Sequence, residues 1–496
     1  MSHRMKNIFL SSWKGTGFNV AILLSVALNA GCSFAPRYAP PAVQTPAAFK
    51  ELTPAQFSAT DGWKAAGAAG LIRGQWWEIF REPELDTLEN QVTVSNQTVA
   101  GALANFLAAR AVVKQSRSQY YPTVTAAPSV TRSRQSSLPG QSKTSTTSTF
   151  TEYALPFDAS WEPDFWGRIR NTVNANSLEA QATLDDLENV RLTVQAELAV
   201  DYFKLRDLDA QQLILGETVS ADREVLKLSR VQQGAGLVSG LNIDQAESQL
   251  EITRAEATDL GIQRALLEHA MATLLGEPAS GFFIAPQSST VIPVSIPFGV
   301  PSQLLERRPD IAAAEHRVEE ANAQIGVARA AYYPTVTLSG AAGYQNTSVQ
   351  NLFSGPGLVW SVGGTLAQTL FDGGLRKAVS EQARAVYQGT VANYRETVLT
   401  AFQDVEDNLA TLRILSQELR QQNAAVAAAR GYLKLSDVRY QAGIEVFLDV
   451  ITAQTALLSN EQTARALQMQ QLTASVQLIK ALGGGWDATP TSATEP

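Results

Sequence analysis

The sequence predicts an α+β chain made of two similar halves, each a helix, two strands and a long helical hairpin. Three observations carry that reading. The hexapeptide YYPTVT occurs twice, at 120–125 and at 332–337, 212 positions apart. Each copy follows an Ala-, Gln- and Arg-rich helical pattern and runs into a Thr/Val/Ser alternation. Its proline, Pro122 or Pro334, lacks the N–H a helix needs and pushes the residue before it into extended geometry. Two more pairs keep the order: 165–170 (FWGRIR) with 371–376 (FDGGLR), 206 apart, and Gly236 with Gly443, 207 apart. The second observation is an alternation over 149–162. Tyr153, Leu155, Phe157, Ala159 and Trp161 share one face, and Glu152, Ala154, Pro156, Asp158, Ser160 and Glu162 the other. That is the apolar-out, polar-in pattern of a membrane barrel strand, and also of a half-buried soluble hairpin. The third is a three-four spacing of apolar residues sustained from 184 to 226, the mark of a supercoiling seam.

Taken in order, the chain opens on a targeting segment, residues 1–31. Arg4, Lys6 and Lys14, with no acid among them, form a basic start, and 18–28 (FNVAILLSVAL) an apolar stretch too short to span a bilayer. Residues 29–32 (NAGC) resemble a bacterial lipobox, departing from it at Asn29, where leucine is commonest. Cleavage before Cys32 and acylation of that cysteine are expected, each buried methylene adding about 0.8 kcal/mol of membrane affinity. A plain secretory signal with an incidental cysteine is the other reading. Ser33 is not aspartate, which by resemblance to lipoprotein sorting in Gram-negative bacteria favours the outer membrane. Residues 33–70, rich in Ala, Pro and Thr, read as an extended tether within an N-terminal region 32–83.

The first repeat covers 84–276. Pro83 suits a helix start, and one helix is expected to about 118. Strands follow at about 121–134 and 149–162, weakened by Pro128 and Pro156. A helix then runs from about 168 to 231 without internal proline, roughly 96 Å at 1.5 Å per residue, far beyond an ordinary globular helix. A second returns from about 242 to 275; its three-four template fails only at Thr253 and Arg264. Gly236 breaks the pair at its tip. A proline-rich linker spans 277–301. The second repeat, 302–486, repeats the scheme with a helix over 302–331, strands at about 333–346 and 357–371, and a hairpin from about 375 to 440 and 446 to 482 with Gly443 at its tip. A short tail, 487–496, closes the chain.

Composition narrows the function. The 496 residues carry a formal net charge of −8, and an acidic surface argues against nucleic acid as a partner. A single cysteine makes no intrachain disulfide. His269 and His316 lie on helical patterns without a spaced metal partner, and no nucleophile elbow, phosphate loop or zinc-ligand spacing occurs. The chain therefore reads as neither an enzyme nor a metal or cofactor binder, its one covalent group being the lipid on Cys32.

Five segments name a family: Trp76-Trp77 with Phe80 and 83–85 (PEL); 304–309 (LLERRP) with Asp310-Ile311; 325–328 (IGVA); 371–374 (FDGG); and 481–486 (ALGGGW). Together they resemble the TolC-type outer-membrane efflux proteins, in particular the NodT-like lipoprotein branch, over about 34–486. The resemblance implies a homotrimer in which four strands per subunit close one twelve-stranded β-barrel in the outer membrane, continued by a long periplasmic α-helical tunnel. It implies a passive exit duct for an inner-membrane efflux pump, of the resistance-nodulation-division type, joined by a periplasmic adaptor protein. Open strand edges are not tolerated in lipid, so four strands need partners. A protein-secretion exit duct shares the fold; a periplasmic coiled-coil scaffold without a pore is the reading from another class.

The resemblance also places a periplasmic gate at the second hairpin tip. The family carries a tyrosine three residues before the tip glycine and an aspartate six after; Tyr440 and Asp449 stand at those positions. Glu445 stands where the family pattern has an arginine that ties neighbouring helices, and Thr452 where it has a second aspartate. Arg439 is the candidate substitute donor. Three Asp449 carboxylates around a three-fold axis would repel one another and attract cations. The alternative is that Asp449 is a solvated acid at a helix start.

Overall fold

The protein is described by a computed structural model covering residues 34–52, 74–134, 149–287 and 307–486. Cys32, the targeting segment, residues 288–301 of the linker and the tail 487–496 lie outside the described residues. The elements are α1 (Pro83–Ser95), α2 (Gln97–Ser118), β1 (Thr123–Ala126), β2 (Ser129–Arg134), β3 (Thr149–Trp161), α3 (Arg168–Gly234), α4 (Gly240–Leu274), α5 (Pro309–Ala330), β4 (Thr335–Asn346), β5 (Leu358–Ala367), α6 (Leu375–Gln441) and α7 (Phe447–Ala481). The repetition shows in the lengths: α3 and α6 are both 67 residues, α4 and α7 both 35.

Two compact units divide the chain and cut across the repeats. One holds residues up to 41, 107–182 and 315–393; the other holds 42–106, 183–314 and 394–496.

The first unit is organised by one antiparallel sheet in the order β1-β3-β4-β5, with β2 also on β3. The single strand expected over 121–134 is two strands. Pro128 has no N–H to give the ladder, and the chain steps out between β1 and β2 while Ala127 donates to the Pro156 carbonyl at 3.3 Å. Register fixes the faces, because directly opposed residues point the same way. Leu155 lies opposite Tyr344, which lies opposite Leu358; Phe157 opposite Ala342 and then Trp360; Ala159 opposite Gly340 and then Val362. Leu366 shares this face through Val336. Asp158 falls on the other face with Thr125, Ala341 and Ser361. One face is thus mostly apolar and aromatic, broken by Arg132 and Arg134 on β2, and the other mostly polar or small, broken by Phe150 and Val359. Among the described residues both edges of the sheet are open, and every residue of β1, β2 and β5 is exposed.

The junctions at Pro122 and Pro334 are held by tryptophans. The Trp161 indole donates to the Tyr120 carbonyl at 2.9 Å, and the Trp166 indole to the Pro334 carbonyl at 2.6 Å. Aspartates start the two longest helices. Asp164 accepts from the Ile169 and Arg170 amides at 3.1 and 2.7 Å; Asp372 accepts from Gly374 and Arg376 at 3.0 and 3.3 Å. These bonds satisfy orphan amides of a helix start.

The expected tether is corrected here: its described part, 34–52, is bound rather than free. Phe34 stacks on Tyr333 at 4.3 Å between ring centres, Asn322 donates to the Pro36 carbonyl at 2.9 Å, and Gly326 leaves room for Ala35. In the second unit Phe49 is buried, the Lys50 and Glu51 amides donate to Glu406 at 2.7 and 3.1 Å, and Glu51 pairs with Arg413 at 2.6 Å. Two phenylalanines in an Ala/Pro background supply the anchors that average composition hides.

The second unit is helical. Its main core joins Trp76, Trp77, Phe80, Leu85 and Val92 to the inner faces of α3, α6 and α7, including Leu198, Phe203, Leu409 and Ile479. Glu89 is wholly buried on α1, and burial pushes its carboxyl well above the usual range. The helix expected over 84–118 breaks at Asn96. That side chain accepts from the Thr98 and Val99 amides at 2.8 and 3.0 Å, capping α2, and donates to the Leu274 carbonyl at 2.7 Å. An N-cap residue takes extended backbone, so one asparagine ends α1 and starts α2.

A charged node pins the described start of the linker. Arg206, 1% exposed, bonds Glu84, Asp209 at 2.9 Å and the Ala285 carbonyl at 2.9 Å. Asp209 also takes Arg264 at 2.8 Å and the Gln287 amide at 3.1 Å. Arg264 reaches Glu268 and the Ile284 carbonyl, both at 2.6 Å. Arg308 of the LLERRP segment does similar work, bonding Asp310, Asp404 and the Ala481 carbonyl. The GGG of the last motif lies against the start of the fold. The Gly74 amide donates to the Gly485 carbonyl at 3.1 Å, and a side chain on Gly485 would overlap the Gly74 backbone.

Candidate functional site

The two hairpin tips share one construction. Gly236 and Gly443 have φ of +71° and +72°, a conformation glycine adopts without steric cost. Around each, the chain closes a matched pair of bonds. Gly236 and Leu237 donate to Gln233 and Gln232 at 2.8 and 2.9 Å; Gly443 and Ile444 donate to Tyr440 and Arg439, both at 2.9 Å. This left-handed stop satisfies the last helical carbonyls and turns the chain within a few residues. It is why the same glycine recurs in both repeats.

Tyr440 joins the two tips. Its hydroxyl donates to Gln232 Oε1 at 2.8 Å, and its ring lies 5.5 Å from that of Phe447. Burial pushes the Tyr440 phenol up, with the Gln232 bond pulling the other way. Phe447 belongs to a small core with Leu226, Ala246, Leu250 and Val450, so Tyr440 rests on the floor that holds the hairpins together.

Arg439 and Glu445 meet across the second turn, with Nε 2.8 Å from Oε2. The approach is off the hydrogen-bonding direction, and that oxygen has no bonded partner. Arg439 is half exposed, so the pair adds little stability. Asp449 is half-buried in the first turn of α7. Val446 before that helix provides no side-chain cap, which leaves an acid there well placed against the helix dipole. Its carboxylate has no hydrogen bond or ion pair among the described residues. Thr452 instead bonds its own helix, donating to the Leu448 carbonyl at 2.8 Å. The sequence-predicted residues thus separate: Tyr440, Arg439 and Glu445 are engaged at the tip, and Asp449 stands apart.

Sequence reasoning missed a second clasp farther up the same hairpins. Asp222 of α3, 3% exposed, accepts from Thr253 of α4 at 2.8 Å and from Gln454 of α7 at 2.6 Å. Burial pushes its carboxyl up, and the two bonds oppose that. A polar residue at a seam position, Thr253, was the available signal. Among the described residues no group of His, Cys, Asp or Glu is arranged to hold a metal ion.

The model of the outer membrane efflux protein family matches residues 88–277 and 300–484. The chain belongs to this family. It is 31% identical over 472 residues to the probable efflux pump outer membrane protein TtgC of Pseudomonas putida, covering 94% of this chain and 96% of that one. It is also 31% identical to the pyoverdine export outer membrane protein OpmQ of Pseudomonas aeruginosa, covering 95% and 97%. Among solved structures, the outer-membrane channel OprN superposes with a TM-score of 0.83 at 27% identity, covering 92% of this chain and all of that one. CusC, described in the context of transmembrane channel formation, gives 0.80 at 27% identity, with the same coverage.

Proposed function

We propose that the chain is the passive outer-membrane exit duct of an efflux system. It works as a homotrimer whose four-strand-wide sheets close into one twelve-stranded barrel. The observation that carries this is the sheet: one face mostly apolar and aromatic, the other mostly polar, and both edges open among the described residues. An open edge in lipid leaves unpaired amides and carbonyls, so the sheet needs neighbours of its own kind. The homologues' roles in efflux and export support an inner-membrane pump as the source of cargo and a periplasmic adaptor as the link to it. Reconstitution tests the reading. The purified protein is expected to run as a trimer and to conduct ions across a planar bilayer; a protein that inserts without conducting refutes it.

The second hairpin tip is the gate of that duct. Tyr440, with Gln232, clasps the second hairpin to the first. Arg439 and Glu445 meet across its turn, and Asp449 rings the closed mouth with three carboxylates. Asp449→Ala is expected to lower cation selectivity, and Tyr440→Phe, which loses the 2.8 Å bond to Gln232, to raise conductance. Reversal potentials in a salt gradient measure the first. Unchanged selectivity in a trimer that still inserts removes Asp449 from the gate.

Cys32 carries the second anchor, a covalent lipid. Cys32→Ala is expected to remove the lipid mass from the mature N-terminus. Mass spectrometry decides: a wild-type mature chain that keeps residues before Cys32 and carries no lipid refutes acylation.

A further inference from the structure

The outward face of the sheet ends in two arginines. On β2, Val130 lies opposite Tyr153, Arg132 opposite Thr151 and Arg134 opposite Thr149. Opposed residues share a face, so Arg132 and Arg134 continue the apolar face of Tyr153, Leu155 and Phe157. Glu152 lies on the other face, opposite Thr131. Both arginines are exposed, and neither guanidinium has an ion pair or hydrogen bond among the described residues.

Their height follows from the strand. The helix-bearing end of the sheet holds the tryptophan junctions; the arginines stand at the opposite end, where β2 turns towards β3 and β4 towards β5. On that end, Tyr153 and Tyr344 sit where an aromatic girdle meets the headgroups. At about 3.4 Å per residue, Arg132 lies about 7 Å and Arg134 about 14 Å beyond Tyr153 along the strand. Strand tilt shortens both heights, and the polar layer on one side of a bilayer is about 5–7 Å deep. The guanidinium groups therefore fall at, and just above, the headgroups.

No acid competes for them. The connections 135–148 and 347–357 contain no Asp or Glu, in a chain whose net charge is −8. A neighbouring subunit would bring the end of β5 alongside β2, and that end carries Leu358, Val359 and Trp360. Arginine's planar fork matches phosphate oxygens two at a time, and it holds a phosphate where lysine supplies only a point charge.

We propose that Arg132 and Arg134 bind the phosphate groups of outer-leaflet lipid headgroups, seating the barrel rim in phosphorylated glycolipid. The proposal rests on the duct reading, which sets the helices in the periplasm and this end of the sheet at the cell surface.

The test compares the full-length protein with the R132Q/R134Q double variant. Both go into phosphatidylcholine vesicles, plain, doped with lipid A, or doped with dephosphorylated lipid A. The readout is the temperature at which the trimer dissociates on a gel. Lipid A is expected to raise that temperature for the wild type, dephosphorylated lipid A to leave it unchanged, and the double variant to lose the rise. Equal starting temperatures in plain vesicles establish that the variant is folded; an unequal start transfers the comparison to the R132Q and R134Q single variants. A double variant that gains as much as the wild type overturns the proposal, as does a wild type indifferent to lipid A or stabilised equally by the dephosphorylated form. So does inorganic phosphate reproducing the rise in plain vesicles, since the site would then take a free anion. A wild type that never forms a trimer, seen before any lipid is added, refutes the duct reading and takes this proposal with it.

Discussion

Phe157→Arg is expected to empty the outer membrane of assembled protein, while Ser160→Arg leaves assembly nearly intact. Phe157 sits midway between Tyr153 and Trp161 on the apolar face, opposite Ala342, and Ser160 sits on the polar face, opposite Ser339. A charge on the lipid side of a barrel costs about 2–4 kcal/mol at the midplane, and a change on the lumen side costs less. The trimer repeats the substitution three times around one ring, so the penalty falls on a single closure event. Quantifying trimer in outer-membrane fractions checks it. Equal loss in the two variants would mark the sheet as soluble and half-buried, and would remove the physical basis for a barrel.

Arg206→Ala is expected to destabilise the helical unit by roughly 3–5 kcal/mol, the range for breaking one partner out of a buried ion pair. Arg206 is 1% exposed and Asp209 3%. Without the arginine, Asp209 keeps Arg264, but Glu84 and the Ala285 carbonyl lose their partner. Arg206→Lys is expected to recover only part of the loss, because an ammonium cannot serve three directions from one plane. Chemical denaturation of the detergent-solubilised protein measures the difference. A shift below about 1 kcal/mol would place the node in the class of surface pairs, which contribute little.

The large features were legible because each follows from a simple periodicity. Alternation along β3 and β5 groups Leu155 with Phe157, Val362 with Leu366, and sets Asp158 apart, as the register does, since period two leaves no freedom once a strand exists. The hairpins followed from the three-four spacing and their glycines. The failures have one theme. Thr253 and Arg264, the two breaks in the template of α4, looked like noise and are the residues that hold Asp222 and Asp209. Polar groups inside a seam are tolerated only where partners wait on other helices, and those partners lie far away in sequence. Asn96 falls inside the one helix expected to about 118 because its neighbours keep the helical pattern; its cap and its bond to Leu274 depend on the fold. Phe34 and Phe49 were lost in a composition average. At the tip, Tyr440 was found through family resemblance, yet its partner Gln232 belongs to the other repeat and leaves no trace in local pattern.

The bond between Gly74 and Gly485 has a consequence for biogenesis. Trp76 and Trp77 lie near a segment made much later, with Gly484 against the Trp76 ring. Ribosome and export machinery deliver residues in order, so early intermediates lack this contact until the glycines at 483–485 emerge. Contacts between such distant positions form late and slowly, and exposed aromatic surface is what chaperones and proteases recognise. A chain stopped a few residues before Trp486 keeps every strand and nearly every helical turn of the described residues, yet leaves the seam at Gly74 open.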